Sequence, residues 1–138
     1  MKRFLVVDDD TLSLQILLDF LSEFAQCDTA QDGKIAFEMF EESILSEKPY
    51  HLICSDIFMP IMDGHELVRL VRLKEKTLSF HGGLRTTIFM ITSSDTPKDM
   101  ACAIWDNDCD DYIVKPFQLD DLMSLLKKYN FIDCNNNP

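Results

Sequence analysis

Five short apolar runs, each followed by a stretch of helical period, alternate along the chain, and this pattern constrains the fold more than any other feature. The runs are residues 3–7, 26–30, 51–55, 87–92 and 112–114. Leu12, Ile16, Phe20, Leu21 and Phe24 fall on one face of a first helix. Ala36, Met39, Phe40 and Ile44 do so on a second, which opens after Asp32-Gly33 and ends before Pro49. Asp63-Gly64-His65-Glu66 has capping-box spacing, and Leu67, Leu70 and Val71 form the inward stripe of the third helix. Thr96-Pro97-Lys98-Asp99 supplies an N-cap, a first-turn Pro and an acid to a fourth helix carrying Met100, Ala103 and Ile104. Leu122, Leu125, Leu126 and Tyr129 line a fifth. Such alternation predicts an α/β fold: a doubly wound (βα)5 unit whose five-stranded parallel sheet is covered on both faces. One domain is expected over residues 1–130, with residues 131–138 as a frayed tail. Only the connection over residues 74–85, containing Gly82-Gly83, is long.

Composition narrows the function classes. Acidic residues number 24 against 13 Lys and Arg, for a net charge of −11. A chain so acidic repels nucleic-acid phosphates and anionic lipid, so direct contact with either is not expected. Residues 4–7 are followed at once by Asp8 and are too short for a signal peptide, and no apolar stretch approaches membrane-spanning length. A cytoplasmic protein is expected. The five cysteines are odd in number and scattered, with no C-x-x-C pair, and read as reduced, small apolar residues. His51, His65 and His81 share no metal-like spacing, and Trp105 reads as core or flank. Arg69, Arg72, Lys74, Lys76 and Arg85 concentrate positive charge around the third helix, where a solvated face is the expectation.

The chemistry follows from the sheet. In open parallel sheets ligands bind beyond the carboxyl ends of the strands. Asp8, Asp9 and Asp10 follow the first run, Asp56 the third, Thr92 with Ser93 and Ser94 the fourth, and Lys115-Pro116 the fifth. Several carboxylates, a hydroxyl and an ammonium thus share one edge. Crowded carboxylates resist joint ionisation unless a cation compensates, and a small set of oxygen ligands suits Mg²⁺, which also holds phosphate. A carboxylate in such a site can attack phosphorus and form an aspartyl phosphate. Asp10 reads instead as a helix cap or a spare acid.

The ordered pieces are Phe4-Leu5-Val6-Val7-Asp8-Asp9-Asp10, Ser55-Asp56 with Met59-Pro60 and Met62-Asp63-Gly64, Met90-Ile91-Thr92-Ser93, and Asp111-Tyr112-Ile113-Val114-Lys115-Pro116-Phe117. Through them the chain resembles the CheY-like receiver domain of two-component response regulators. The resemblance implies a flavodoxin-like strand order, 2-1-3-4-5. It implies that Asp56 is the phosphoacceptor, that Asp9, Asp56 and the backbone carbonyl of Phe58 ligate Mg²⁺ (or Mn²⁺), and that Asp8 acts through a water. Lys115 would bind the incoming phosphoryl oxygens, and Thr92 would carry the switch signal. Tyr112 would report it on the face made by the fourth helix, fifth strand and fifth helix. The donor would be a sensor histidine kinase, a phosphotransfer protein or a small phosphodonor. The output would be an unknown protein on that face, and a phosphorylation-linked dimer is among the states the resemblance allows. Such a protein is a signalling phosphoacceptor with self-phosphorylation and autodephosphorylation chemistry, not an enzyme in the usual sense. It stands alone or forms the N-terminal part of a longer chain.

Three residues or segments depart from the pattern. Phe58 occupies a variable position that in the family influences access of hydrolytic water. Asp108 stands where Gly is usual, and the connection over residues 74–85 is long. Three other functions compete with this one. A haloacid dehalogenase-type phosphohydrolase would use Asp8 as nucleophile, but Thr11 follows Asp10 directly, and the acidic pair Asp110-Asp111 precedes Lys115 where that family has it after the lysine. A receiver-shaped interaction module without phosphorylation would not need the full set of acids, hydroxyl and lysine. A flavin-binding module would need Gly, Ser and Thr where this chain has acids.

Overall fold

The structure, a computed structural model, describes residues 1–78, 85–92 and 109–133. Within these residues five parallel strands form one sheet in the order β2-β1-β3-β4-β5, as the resemblance implies. They are β1 (Arg3–Val7), β2 (Gln26–Ala30), β3 (Leu52–Asp56), β4 (Thr87–Thr92) and β5 (Asp111–Val114). The helices among the described residues are α1 (Thr11–Leu21), α2 (Gly33–Leu45), α3 (Gly64–Thr77) and the C-terminal α4 (Leu119–Lys128). The predicted helix around Met100, Ala103 and Ile104, together with Ser93, Ser94, Trp105, Asp108, His81 and Gly82-Gly83, lies outside the described residues.

Period-2 alternation sends each strand's side chains to both faces, so a sheet with helices on both sides needs nearly continuous apolar strands. Phe4, Val6, Leu52, Cys54, Phe89 and Ile91 face one way and pack with Leu14, Leu17 and Leu21 of α1 and Leu122 and Leu126 of α4. Leu5, Val7, Ile53, Ile88 and Met90 face the other way, against Ala36 and Phe40 of α2 and Leu67, Val68 and Val71 of α3. Phe131 and Ile132, placed in the tail by the sequence reading, pack against the first of these layers. The ring of Phe131 meets that of Phe4 edge-on, with centroids 5.2 Å apart.

Two details correct the sequence reading. The buried stripe of α1 is Leu14, Leu17 and Leu21, while Leu12 and Ile16 are 68% and 49% exposed. This helix carries apolar residues around most of its circumference, so its period could not say which stripe meets the sheet. Arg72 is the second. It is only 8% exposed and belongs to no solvated face. Its guanidinium donates to Glu75 at 2.7 Å, to the Thr86 carbonyl at 2.7 Å and to Asp110 at 2.9 Å. Glu75 in turn accepts from the Thr86 amide and Asp110 from the Ile88 amide, and Arg85 pairs with Asp110 at 2.6 Å. This network ties α3 to the amino-terminal ends of β4 and β5. Lys74 pairs with Glu41 of α2 and Arg69 with Glu66.

Candidate functional site

The strand order reverses direction between β1 and β3, and such a switch point opens a crevice at the carboxyl ends of the two strands. Asp8 and Asp9 follow β1 at this crevice, and Asp56 is the last residue of β3. The third strand is shifted one residue from the predicted 51–55, so Asp56 ends the strand where the sequence reading has it following. Carboxylate oxygens of Asp8, Asp9 and Asp56 all lie within 4.8 Å of one another.

Lys115, just beyond β5, reaches across to the acids. Its Nζ is 2.9 Å from Asp8 Oδ2 and 3.9 Å from Asp56 Oδ2. Asp8 is 1% exposed, and its other oxygen accepts the Asp10 amide at 2.9 Å. Asp9 is exposed to solvent. Asp10 caps α1, accepting from the Leu12 amide and from Ser13 Oγ at 2.8 Å, and the Ser13 hydrogen bond leads in holding its carboxyl below the usual range. Asp10 is thus the helix cap that the sequence reading allowed. Asp56 Oδ1 accepts the Ile57 amide at 2.8 Å. Burial pushes the Asp56 carboxyl up to about 6; Lys115 opposes this, while Asp8 and Asp9 add to it.

Charge decides what the crevice can hold. Three carboxylates face one ammonium, and two of the three are largely withdrawn from water. A divalent cation would remove the excess negative charge, and an all-oxygen donor set with an exposed member, Asp9, fits a magnesium-like ion that keeps part of its water. The residues present therefore fit the group.

The loop after Asp56 is fixed by backbone contacts. The Gly64 amide donates to the Ile57 carbonyl at 2.7 Å and the Gly33 amide to the Met62 carbonyl at 3.1 Å. Asp63 caps α3 by accepting the Glu66 amide at 2.9 Å. A Cβ on Gly64 would stand 2.3 Å from the Asp56 carbonyl oxygen and 2.9 Å from Ile57 Cα, so no other residue fits here without moving the backbone of the site. Gly64→Ala is expected to lose roughly 3 kcal/mol of stability, the upper end for overpacking, in urea unfolding.

Phe58 follows in the same loop and is 54% exposed. Thr92 ends β4 opposite Val114, which places its backbone at the same edge; its side chain lies outside what the structure describes. Tyr112 pairs with Met90 in the sheet and packs, half-buried, against the layer under α2 and α3. The structure thus brings Asp8, Asp9, Asp56 and Lys115 together. The sequence reading quotes Ser55 only as the neighbour of Asp56 and gives it no role; it is fully buried, and its hydroxyl donates to the Asp56 carbonyl at 2.8 Å. A polar residue within an apolar strand was its only signal.

Comparison with known proteins follows the same lines. The family model "Response regulator receiver domain" matches residues 4–127. The transcriptional regulatory protein BasR of Escherichia coli is 32% identical over 133 residues, covering 93% of this chain and 54% of BasR. ArlR of Staphylococcus epidermidis is 31% identical over 92% of this chain and 52% of its own length. The chain thus spans about half the length of these regulators. Among solved structures, response regulator TrrA of Thermotoga maritima, in complex with Mg²⁺ and BeF, is 30% identical with a TM-score of 0.74. That match covers 93% of this chain and 98% of TrrA. CheY4 of Vibrio cholerae is 27% identical with a TM-score of 0.74, over 93% and 98% of the two chains.

Proposed function

Because the chain belongs to the response regulator receiver family of two-component signalling, we propose that Asp56 is its phosphoacceptor and that Lys115 and a divalent cation make the transfer possible. Receiver domains are signalling phosphoacceptors and not enzymes in the usual sense. The observation that carries the proposal is the convergence of Asp8, Asp9 and Asp56 within 4.8 Å, with Lys115 reaching in from β5. Asp8 is poorly suited to be a hydrolase nucleophile: it is buried, and both its oxygens are already engaged.

In the reaction proposed, Asp56 Oδ2 attacks phosphorus of a phosphohistidine. A P–O bond forms as the P–N bond breaks, and the bonding pair stays on the leaving imidazole nitrogen. Asp9, Asp56 and the Phe58 carbonyl would hold Mg²⁺ or Mn²⁺, with Asp8 acting through a water, and the ion would supply positive charge against the phosphoryl oxygens. Lys115 moves from its pairing with Asp8 toward those oxygens. Thr92 donates its hydroxyl to the phosphoryl group, a hydrogen bond that exists only in the phosphorylated form and supplies the differential free energy a switch needs. Tyr112, on β5, relays the change to the face made by the predicted fourth helix, β5 and α4, where a downstream protein binds. The donor is a sensor histidine kinase or phosphotransfer protein. Its surface meets the exposed apolar residues Ile16 and Leu119 beside Lys115, which border a groove of about 590 Å³. No helix among the described residues is long and apolar enough to cross a membrane.

The test is uptake of one phosphoryl group from acetyl phosphate, followed by intact mass. Uptake should require Mg²⁺ and be reversed by hydroxylamine, which cleaves acyl phosphates. Metal-independent or hydroxylamine-stable uptake would exclude the reading.

Phe58 bears on the lifetime of the product. Its ring offers no group to orient an attacking water, so hydrolysis of the acyl phosphate is expected to be slow. Phe58→Asn or Phe58→Glu should shorten the half-life about tenfold, below the roughly 10²–10⁴-fold of a fully positioned general acid or base. An unchanged half-life in both variants would remove this role.

A further inference from the structure

Resting on the reading of Asp56 as phosphoacceptor, we propose that Ser55 is a positioning residue that selects which oxygen of Asp56 attacks phosphorus. Ser55 is the penultimate residue of β3, opposite Val7 and Met90, and is fully buried. A hydroxyl in that apolar setting needs a partner. It finds one in the carbonyl oxygen of Asp56, at 2.8 Å. That carbonyl belongs to the same amide whose N–H, on Ile57, donates to Asp56 Oδ1 at 2.8 Å. One peptide unit is therefore held at both ends, by the Ser55 hydroxyl at its oxygen and by the Asp56 carboxylate at its nitrogen.

Two consequences follow. The plane of the amide fixes the direction of the Ile57 N–H, and with it the rotation of the Asp56 carboxylate. Oδ1 is engaged by that N–H, while Oδ2 faces Lys115 at 3.9 Å and is the oxygen presented for attack. Donation to the carbonyl also polarises the amide, which strengthens its N–H as a donor. Gly64 lies against the same carbonyl so closely that a Cβ there would come within 2.3 Å, leaving little room for a water to replace the hydroxyl.

The experiment compares the intact chain with Ser55→Ala and Ser55→Thr at saturating Mg²⁺ and varied acetyl phosphate. Two readouts are taken: the rate of acyl phosphate formation and the Ile57 amide proton resonance. Ser55→Ala should lower the limiting rate roughly fivefold, the scale of one lost hydrogen bond, with the half-saturating donor concentration unchanged. The Ile57 amide proton should move upfield as its hydrogen bond to Oδ1 weakens. Ser55→Thr, which keeps the donor, should return both toward the parent values. A parent-like rate in Ser55→Ala overturns the proposal, and so does an unmoved Ile57 resonance. If the parent chain itself forms no acyl phosphate, the functional reading fails, whereas the amide shift still reports on the clamp.

Discussion

Asp56→Asn is expected to abolish hydroxylamine-sensitive phosphoryl uptake and, in metal-free buffer at pH 7.5, to raise the stability of the protein. The first effect follows from the loss of the carboxylate nucleophile. The second follows from where that carboxylate sits. Burial, with Asp8 and Asp9 beside it, lifts its pKa to about 6 from the usual 3.8. Between those values the folded protein holds more protons than the unfolded chain, so stability declines as pH rises through this window. The contribution is complete below about pH 4 and lost once pH passes 6. A shift of about two pKa units sets a ceiling near 3 kcal/mol. Residual solvent contact and the relaxation of Lys115 reduce this, and a gain of about 1–2 kcal/mol, on the order of 5 °C in thermal midpoint, is expected. Asn keeps an oxygen for the Ile57 amide, so the variant loses charge and little else. Thermal unfolding of both proteins at pH 4 and 7.5, with EDTA or with Mg²⁺, checks the account. The difference should shrink at pH 4, and Mg²⁺ should stabilise the parent more than the variant. A variant less stable than the metal-free parent at pH 7.5 would show that the acids are not a standing electrostatic load.

Arg72→Ala should be among the most damaging single substitutions, at about 3–5 kcal/mol, because it leaves the carboxylates of buried Glu75 and partly buried Asp110 without their shared cation. Glu75 and Asp110 are both largely withdrawn from solvent, and each is already committed to a backbone amide, at Thr86 and Ile88. Arg85 reaches Asp110 but is itself more than half exposed and cannot replace a guanidinium held between the two acids. Urea unfolding is the measurement, and a loss under 1 kcal/mol would mean that water or Arg85 compensates. The network lies at the amino-terminal ends of β4 and β5, the opposite edge from Asp56. Under conditions where the variant stays folded, its phosphoryl uptake should therefore match the parent.

Much of the site was legible because parallel strands put their carboxyl ends on one edge. Once five strands could be read, Asp8, Asp9, Asp56 and Lys115 fell on one edge, and the strand order implied by the family resemblance brought that edge's acids together, whatever their separation along the chain. The lysine was distinguishable from a surface cation by its place after a buried strand and before Pro116. What escaped the sequence depends on tertiary partners. Arg72 sits among Arg69, Lys74 and Lys76, and local context alone makes it one more solvated charge; its Asp110 partner is 38 residues away. A clue was present in its spacing, since Arg72 and Glu75 continue the stripe of Leu67, Val68 and Val71 on the buried face of α3. The inward side of α1 could not be read either, because an apolar stripe on Leu12 and Ile16 competes with that on Leu14, Leu17 and Leu21. Of those two exposed residues, Ile16 lines the groove beside Lys115. The role proposed for Ser55 was illegible for a different reason: it depends on the orientation of one peptide plane.

The most direct test of the whole account is to find which aspartate carries the phosphoryl group. Borohydride reduction of the acetyl phosphate-treated, Mg²⁺-loaded protein converts an acyl phosphate to homoserine, which peptide mass spectrometry locates. Homoserine at position 56, and at no other aspartate, is the expected result. Homoserine at position 8 with position 56 unmodified would contradict it.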